Sequence, residues 1–280
     1  MPTGHSRLGI CQNPGVSDPV PVWLEALEAR HLANLRFAEV SRALRALSST
    51  YVERRGRLAR GGALQGAGKR AAFALFYGPL HFTLVSAIVR TLGAVDREVR
   101  PIVDLGCGTG VAGAAWSLAF ARPPRLVGVE RHRWAIGEAA WTWRALGLHA
   151  TTVQNDVTRH RLPGAGAAVV AAYCLNELDR PARDLMRERL IEAAARGARV
   201  LVVEPVAGAM VPEWPEWVAA VEAAGGRADQ WRLELDLPDL TRRLARAAGL
   251  DTRITTAKTL YIPAPNAQRP APTRPADSSA

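Results

Sequence analysis

The stretch VDLGCGTGVAGAAW, Val103 to Trp116, reads as a short apolar strand that stops in glycine and restarts as a helix. Gly106, Gly108 and Gly110 alternate through the turn, and an acid, Asp104, stands just before them. A strand that ends in glycines and opens a helix lets a ligand approach bare backbone and the helix N-terminus. GTGVAG, Gly108 to Gly113, also fits the dinucleotide pattern GxGxxG, with Glu130 twenty residues after Gly110 as a ribose-binding acid. Asp104 argues against that ligand. A diphosphate is doubly negative and would be repelled by a carboxylate beside its cradle, whereas a positively charged cofactor would be attracted.

Outward from the turn the chain has two rhythms. Toward the C-terminus, PIVDLG, RLVGVE, ATTVQNDV, AAVVAAYCL and ARVLVVEP are short apolar or β-branched runs that alternate with helical segments. Such alternation with nearly uniform apolar strands predicts an α/β fold, a Rossmann-like sheet with helices on both faces. Asp179 is placed to cap the helix that follows it, and Gly249 to end a later one. Toward the N-terminus, helical apolar spacing runs from Val22 to about Arg60, and RGGALQGAGKR (60–70) is a glycine-rich break. AAFALFYGPLHFTLVSAIVRTLGA then predicts a largely buried helix pair, with Gly78-Pro79 as kink or boundary. The expected organisation is a flexible lead over 1–20, a helical extension over 21–98, a Rossmann-like domain over 99–263 and a disordered tail over 264–280.

Composition narrows the class. At 280 residues, 48% hydrophobic and 22% charged, the chain is an ordinary globular protein with ample core. No apolar run reaches the roughly 18 residues needed to span a bilayer, and MPTGHSRLGICQNPGV lacks an apolar signal region. A cytoplasmic protein with no membrane partner is expected. Cys11, Cys107 and Cys174 are scattered, which offers no zinc or disulfide framework, so no metal is expected. Net charge is +10, concentrated between Ser41 and Arg70, where Arg42, Arg45, Arg54, Arg55, Arg57, Arg60, Lys69 and Arg70 face one acid, Glu53. That segment reads either as a phosphate-facing RNA surface or as a solvated face in an arginine-rich chain; a single aromatic residue, Tyr51, interleaves with it.

The sequence VDLGCGTG resembles the cofactor loop of class I S-adenosylmethionine-dependent methyltransferases, and the resemblance covers about residues 100–205 well and continues loosely to 262. S-adenosylmethionine carries an ammonium and a sulfonium, which suits Asp104. The resemblance implies that Asp104 holds the amino-acid part, often through water, and that Gly106, Cys107, Gly108 and Gly110 form the loop. It further implies that Glu130, followed by Arg131, accepts from both ribose hydroxyls, and that Asp156, with Val157 beside it, binds the adenine amino group. Tyr173, Cys174, Leu175 and Asn176 would line the pocket after the fourth strand.

The acceptor is less legible. YCLNEL is not the (D/N)PP(Y/F) sequence of nucleobase amino-methyltransferases, no carboxylate cluster for a metal can be assembled, and no histidine lies near this loop in sequence. Tyr77 and His81, one turn apart, could reach the pocket from above, with His81 as the base candidate; Tyr173 and Asn176 complete the candidate catalytic set. The segment 206–237, with Trp214, Trp217 and Trp231, is expected to be an insertion forming a lid over a small-molecule acceptor. The helical preface, LNEL and VEP are also similar to methyltransferase-like proteins of the small ribosomal subunit, which implies an RNA or ribosomal partner, or an assembly role without catalysis. The iron–sulfur-binding members of that family need four clustered cysteines, which this chain lacks.

Overall fold

The computed structural model describes residues 18–53, 64–95, 99–207 and 211–264. In chain order the elements are helices α1 (Pro19–Leu32), α2 (Phe37–Glu53) and α3 (Ala67–Thr91), then β1 (Ile102–Leu105), α4 (Val111–Leu118), β2 (Leu126–Glu130), α5 (Arg133–Ala145), β3 (Ala150–Gln154) and β4 (Ala168–Ala172). They continue with α6 (Arg180–Ala195), β5 (Arg199–Glu204), α7 (Trp214–Ala223), β6 (Arg227–Leu233), α8 (Asp239–Ala248) and β7 (Thr255–Ile262). The strands form one sheet in the order β3-β2-β1-β4-β5-β7-β6. β1 to β5 are parallel, and β7 inserts antiparallel between β5 and β6. The fold is α/β and Rossmann-like. The chain leaves β1 in one direction and returns to β4 on its other side, so a crevice opens where the strand order reverses.

Alternation along each strand sorts the core into two layers. Val103, Leu105, Val169, Ala171, Val200 and Val202 pack with Met186 and Leu190 of α6 and with Trp217 and Val221 of α7. Ile102, Ala168, Val170, Leu201 and Val203 face the other way, into a layer that includes α3, α4, α5 and α8. Trp23 and Leu27 of α1 and Val40 and Leu44 of α2 belong to this same layer. The helices that precede the sheet therefore share its core. A polar clamp reinforces this docking: Glu138 of α5, 1% exposed, meets His31 Nε2 at 2.7 Å and Arg30 at 3.3 Å. Burial alone would push the Glu138 carboxyl up, but His31 and Arg30 bring it below its usual value.

Several expected boundaries move. The lead ends earlier than residue 20, because Pro19 opens α1 and Asp18 caps it by accepting from the Val20 N–H at 3.0 Å. α3 is one helix, not a pair. Pro79 has no N–H for the Leu75 carbonyl, and the helix absorbs this by widening into a π turn over Phe73–Tyr77. The Gly78 N–H bonds back to Phe73 O, while the Leu75 carbonyl accepts from Thr241 Oγ1 of α8 at 3.3 Å. The 25-residue helix is long and apolar enough to cross a membrane, which corrects the expectation that no apolar run reaches that length; 61% of its most apolar window is buried inside the protein.

The supposed insertion over 206–237 is corrected most. Its described part is the helix α7 and the edge strand β6, regular parts of the sheet and its cover. Trp217 and Val221, four apart on α7, bury against the sheet. Asp179 and Gly249 cap as expected: Asp179 accepts from the Ala182 N–H, and Gly249 is left-handed at the end of α8. The tail beyond 264 lies outside the described residues, as do Cys11, Arg54, Arg55, Arg57 and Arg60.

Candidate active site

A cavity of about 600 Å³ opens at the C-terminal ends of β1, β2 and β4, where the strand order reverses. Its floor is the glycine turn. Gly106, Gly108 and Gly110 all have positive φ, 62°, 52° and 81°. Two of the three also need the missing side chain for packing. A Cβ at Gly106 would stand 2.7 Å from Cys174 Sγ, and one at Gly110 would stand 2.7 Å from Trp143 Nε1. Gly110 belongs to the same turn but does not line the cavity, and its carbonyl accepts from Trp143 Nε1 at 2.7 Å. Gly106, Cys107 and Gly108 do line it.

Asp104 lies under the turn, 1% exposed, and accepts from the Gly113 N–H at 2.8 Å through Oδ2. That bond ties β1 to the first turn of α4. Burial pushes its carboxyl up to about 7, with the Gly113 N–H opposing and the Glu130 charge adding to the rise. Only the oxygen not held by Gly113 is free of this tether. Glu130, ending β2, is more heavily committed than a bare strand-end acid. Oε2 accepts from the Gly108 N–H at 3.2 Å, and Oε1 accepts from the N–H groups of Arg131 and His132, both at 2.8 Å. A carboxylate offers about four lone-pair sites, so one unencumbered site remains, on Oε2. Asp156 also lines the cavity, and its Oδ1 is taken by the N–H and hydroxyl of Thr158. Those bonds hold its carboxyl below its usual value. Arg131 and Val157 line the cavity beside these acids.

The chain after β4 supplies the third wall. Tyr173, with φ 55°, is the one non-glycine residue with positive φ among the described residues, and its N–H is anchored to Val203 O at 2.8 Å. Cys174 and Cys107 are buried free thiols, both pushed up mainly by burial, which makes them poor nucleophiles. Asn176 and Glu177 follow on a short 3-10 turn and line the cavity; Leu175, which opens that turn, is buried and does not line it. The Leu175 N–H donates to Glu204 Oε1 at 2.8 Å, so the end of β5 holds this loop in place.

The roof comes from α3. Phe73, Tyr77 and His81, spaced four apart, line the cavity with Leu64. The Phe73 ring lies 3.8 Å from where a Gly108 Cβ would stand. Tyr77 and His81 centroids are 5.6 Å apart, and His81 stacks on Tyr173 at 3.8 Å with 12° between planes. A histidine therefore does lie against the loop after β4, brought there by tertiary packing. Burial drops the His81 ring to about 3, which holds it neutral. Burial likewise raises the Tyr77 hydroxyl to about 12 and the Tyr173 hydroxyl further.

The lid is the other correction. Trp214, Trp217 and Trp231 do not line the cavity. Trp217 is core, Trp231 Nε1 donates to Thr259 Oγ1 at 2.9 Å, and Trp214 lies 4.3 Å under the Lys258 ammonium. Within the basic segment, Arg45 donates to Ala247 O at 2.7 Å, and Arg70 donates to Leu64 O at 2.9 Å and lies over the Trp134 ring. Both guanidinium groups are tied to backbone carbonyls, Arg70 half-buried and Arg45 exposed. Among the described residues no group of three or more His, Cys, Asp or Glu side chains is arranged to hold a metal ion.

Sequence reasoning missed Phe73, Leu64 and Glu177. Phe73 carried a signal, its four-residue spacing from Tyr77. Glu177 stood inside the quoted LNEL, but nothing local marks it as half-buried; desolvation raises its carboxyl to about 7, with Glu130 adding to the rise and Arg131 opposing it.

No family model matches this sequence, and no curated protein matches it. Among solved structures, the chain is similar to the mitomycin 7-O-methyltransferase at 17% identity and TM-score 0.48, over 87% of this chain and 73% of that one. It is similar to the plantazolicin methyltransferase in complex with SAH at 12% identity and TM-score 0.47, over 85% and 99%. It is also similar to a SAM-dependent methyltransferase from Aquifex aeolicus at 16% identity and TM-score 0.43, over 66% and 93%.

Proposed function

We propose that this protein is an S-adenosylmethionine-dependent methyltransferase acting on a small-molecule acceptor. The observation that carries this reading is the cavity itself: about 600 Å³, floored by a glycine turn with acids beneath and beside it, and roofed by three aromatic side chains of α3. That volume suits a small ligand rather than an open groove for a polymer. The donor set fits the cofactor. Asp104 and Asp156 would meet its amino-acid and adenine parts, Glu130 would accept one ribose hydroxyl directly through Oε2, and a second hydroxyl would share Oε1 with backbone amides. A doubly negative diphosphate fits poorly among Asp104, Glu130 and Glu177. The bound cofactor would supply an electrophilic methyl for in-line displacement, and the protein's part is to orient the acceptor and exclude water.

The test is calorimetric. S-adenosylmethionine should bind the wild type and NADH should not. Glu130→Ala should weaken binding about 10- to 100-fold, the worth of one hydrogen bond to a charged acceptor. NADH binding without S-adenosylmethionine binding, or an unchanged affinity in the variant, would contradict the assignment.

A further inference from the structure

Charge is segregated over this surface. Residues 121–166, which hold β2, α5 and the edge strand β3, carry seven arginines, every one exposed. Of the acids there, Glu138 is buried in its clamp and Glu130 is half-buried and committed to backbone amides, so Asp156 is the one exposed carboxylate. Arg131 lines the cavity; Arg122, Arg125, Arg133, Arg144, Arg159 and Arg161 do not, and they form no ion pair with a described residue. Arginines toward the C-terminus are treated differently. Arg180, Arg183 and Arg187 of α6 are neutralised by Asp184, Glu213 and Glu216, and Arg227 and Arg253 pair with Asp229 and Asp251. An arginine-rich composition by itself gives no reason for that contrast.

The unpaired cations gather round one edge of the sheet. Arg125 reaches Thr151 Oγ1 of β3 at 3.3 Å. Arg133 and Arg144 stand at the two ends of α5, the helix that leads into β3; their spacing puts them on one helix face, about 16 Å apart. Arg159 lies just past the far end of β3, its N–H donating to Asp156 O at 3.0 Å. Like charges held together repel, and a partner with fixed negative charge relieves the repulsion. A membrane surface would also ask for apolar side chains to enter the lipid, and a protein partner for an apolar core. The segment presents neither: the exposed large hydrophobics among the described residues are Val22, Leu185 and Ile254, all elsewhere. A nucleic-acid backbone asks only for cations and polar side chains, and Thr151 and Gln154 are exposed on β3 between the arginines. We propose that this edge, distinct from the basic run at 41–70 and from the cavity, docks a nucleic-acid strand through its phosphates.

Salt-dependent binding tests this. Labelled mixed-sequence strands of about 20 nucleotides, one RNA and one DNA, are titrated with the full chain by fluorescence anisotropy between about 50 and 200 mM salt. At least one strand should bind, and the two arms tell which sugar the surface accepts. Removing Arg125, Arg133 and Arg144 together (each →Ala) should flatten the slope of log affinity against log salt by about 2, at about 0.7 per lost phosphate contact, and weaken binding at least about tenfold. The same three changed to Lys should keep most of the affinity. A matched triple, Arg196→Ala, Arg227→Ala and Arg253→Ala, removes equal charge from ion-paired positions and should cost less than about threefold. Thermal melts verify that each variant is folded. No binding of either strand, equal losses in the two alanine triples, an unchanged salt slope, or capture by phosphatidylserine vesicles in place of both strands overturns the proposal. S-adenosylmethionine affinity, read separately by calorimetry, should be the same in wild type and variants, so the cofactor reading and the docking surface stand or fall apart from each other.

Discussion

The floor and the roof of the cavity are built by different means. The floor is backbone: three left-handed glycines, with Asp104 and Glu130 accepting from the amides around them. Its geometry is set within a few residues of each part, and its groups are fixed by hydrogen bonds. The roof is side chain: Phe73, Tyr77 and His81 reach the site from a helix that precedes the sheet, and only packing places them there. A floor of this kind tolerates almost no added atom, whereas a roof of this kind can lose atoms and still cover the site.

The largest break should come in the floor's support. A Cβ at Gly128 on β2 would stand 2.3 Å from the Trp143 ring and 2.8 Å from Cys107 Sγ. Gly128→Ala should therefore cost about 3 kcal/mol in urea unfolding, at the upper end of overpacking penalties; a loss below about 0.5 kcal/mol would show that the ring moves aside freely. The next effect concerns the joint between the cavity wall and β5. Burial pushes the fully buried Glu204 carboxyl up to about 8, with the Leu175 N–H and Lys258 opposing. Its folded value lies above its unfolded one, so the stability it contributes is present at low pH and is lost as pH rises from about 4.5 through 8. Glu204→Gln keeps an acceptor for Leu175 but cannot ionise. The fall in stability between pH 5 and pH 9 should shrink by at least about 1 kcal/mol, read by thermal melts at both values; parallel profiles would contradict it. Asp104 and Glu177, both raised to about 7, act in the same direction and persist in the variant.

Roof truncation should be milder. Phe73 is half-buried, and Phe73→Leu should cost about 1 kcal/mol of stability from lost burial, with cofactor affinity falling less than it does in Glu130→Ala. A larger affinity loss at Phe73 would make the roof, not the floor, the main holder. The smallest effect is expected at the residues that sequence placed over the site. Trp231→Phe loses one hydrogen bond to Thr259 and touches no cavity wall, so S-adenosylmethionine affinity should stay within about 0.5 kcal/mol of wild type by calorimetry. A greater change would restore the lid.

Much of the floor was legible because its signals are local. Left-handed turns demand glycine, strand ends place acids at one edge of a parallel sheet, and an Asp before a helix caps it; each is visible in a window of a few residues. The roof and the wall after β4 were legible only as residue types. Tyr77 and His81 stood out, but that His81 lies flat on Tyr173, and is thereby desolvated toward a neutral ring, depends on contacts 92 residues apart. The three tryptophans misled for the same reason: an aromatic-rich segment looks alike whether it covers a ligand or a sheet, and only the antiparallel entry of β7 between β5 and β6 makes β6 an edge strand.

By itself, then, the sequence determined the alternation of strands and helices, the glycine turn and the carboxylates around it, since steric limits on φ and the two periodicities act between near neighbours. Tertiary structure alone decided which carboxyls are desolvated, that His81 stacks on Tyr173, and that a π turn carries α3 past Pro79 to close the cavity. Burial and long-range contact belong to the assembled core, and no short stretch of chain encodes them.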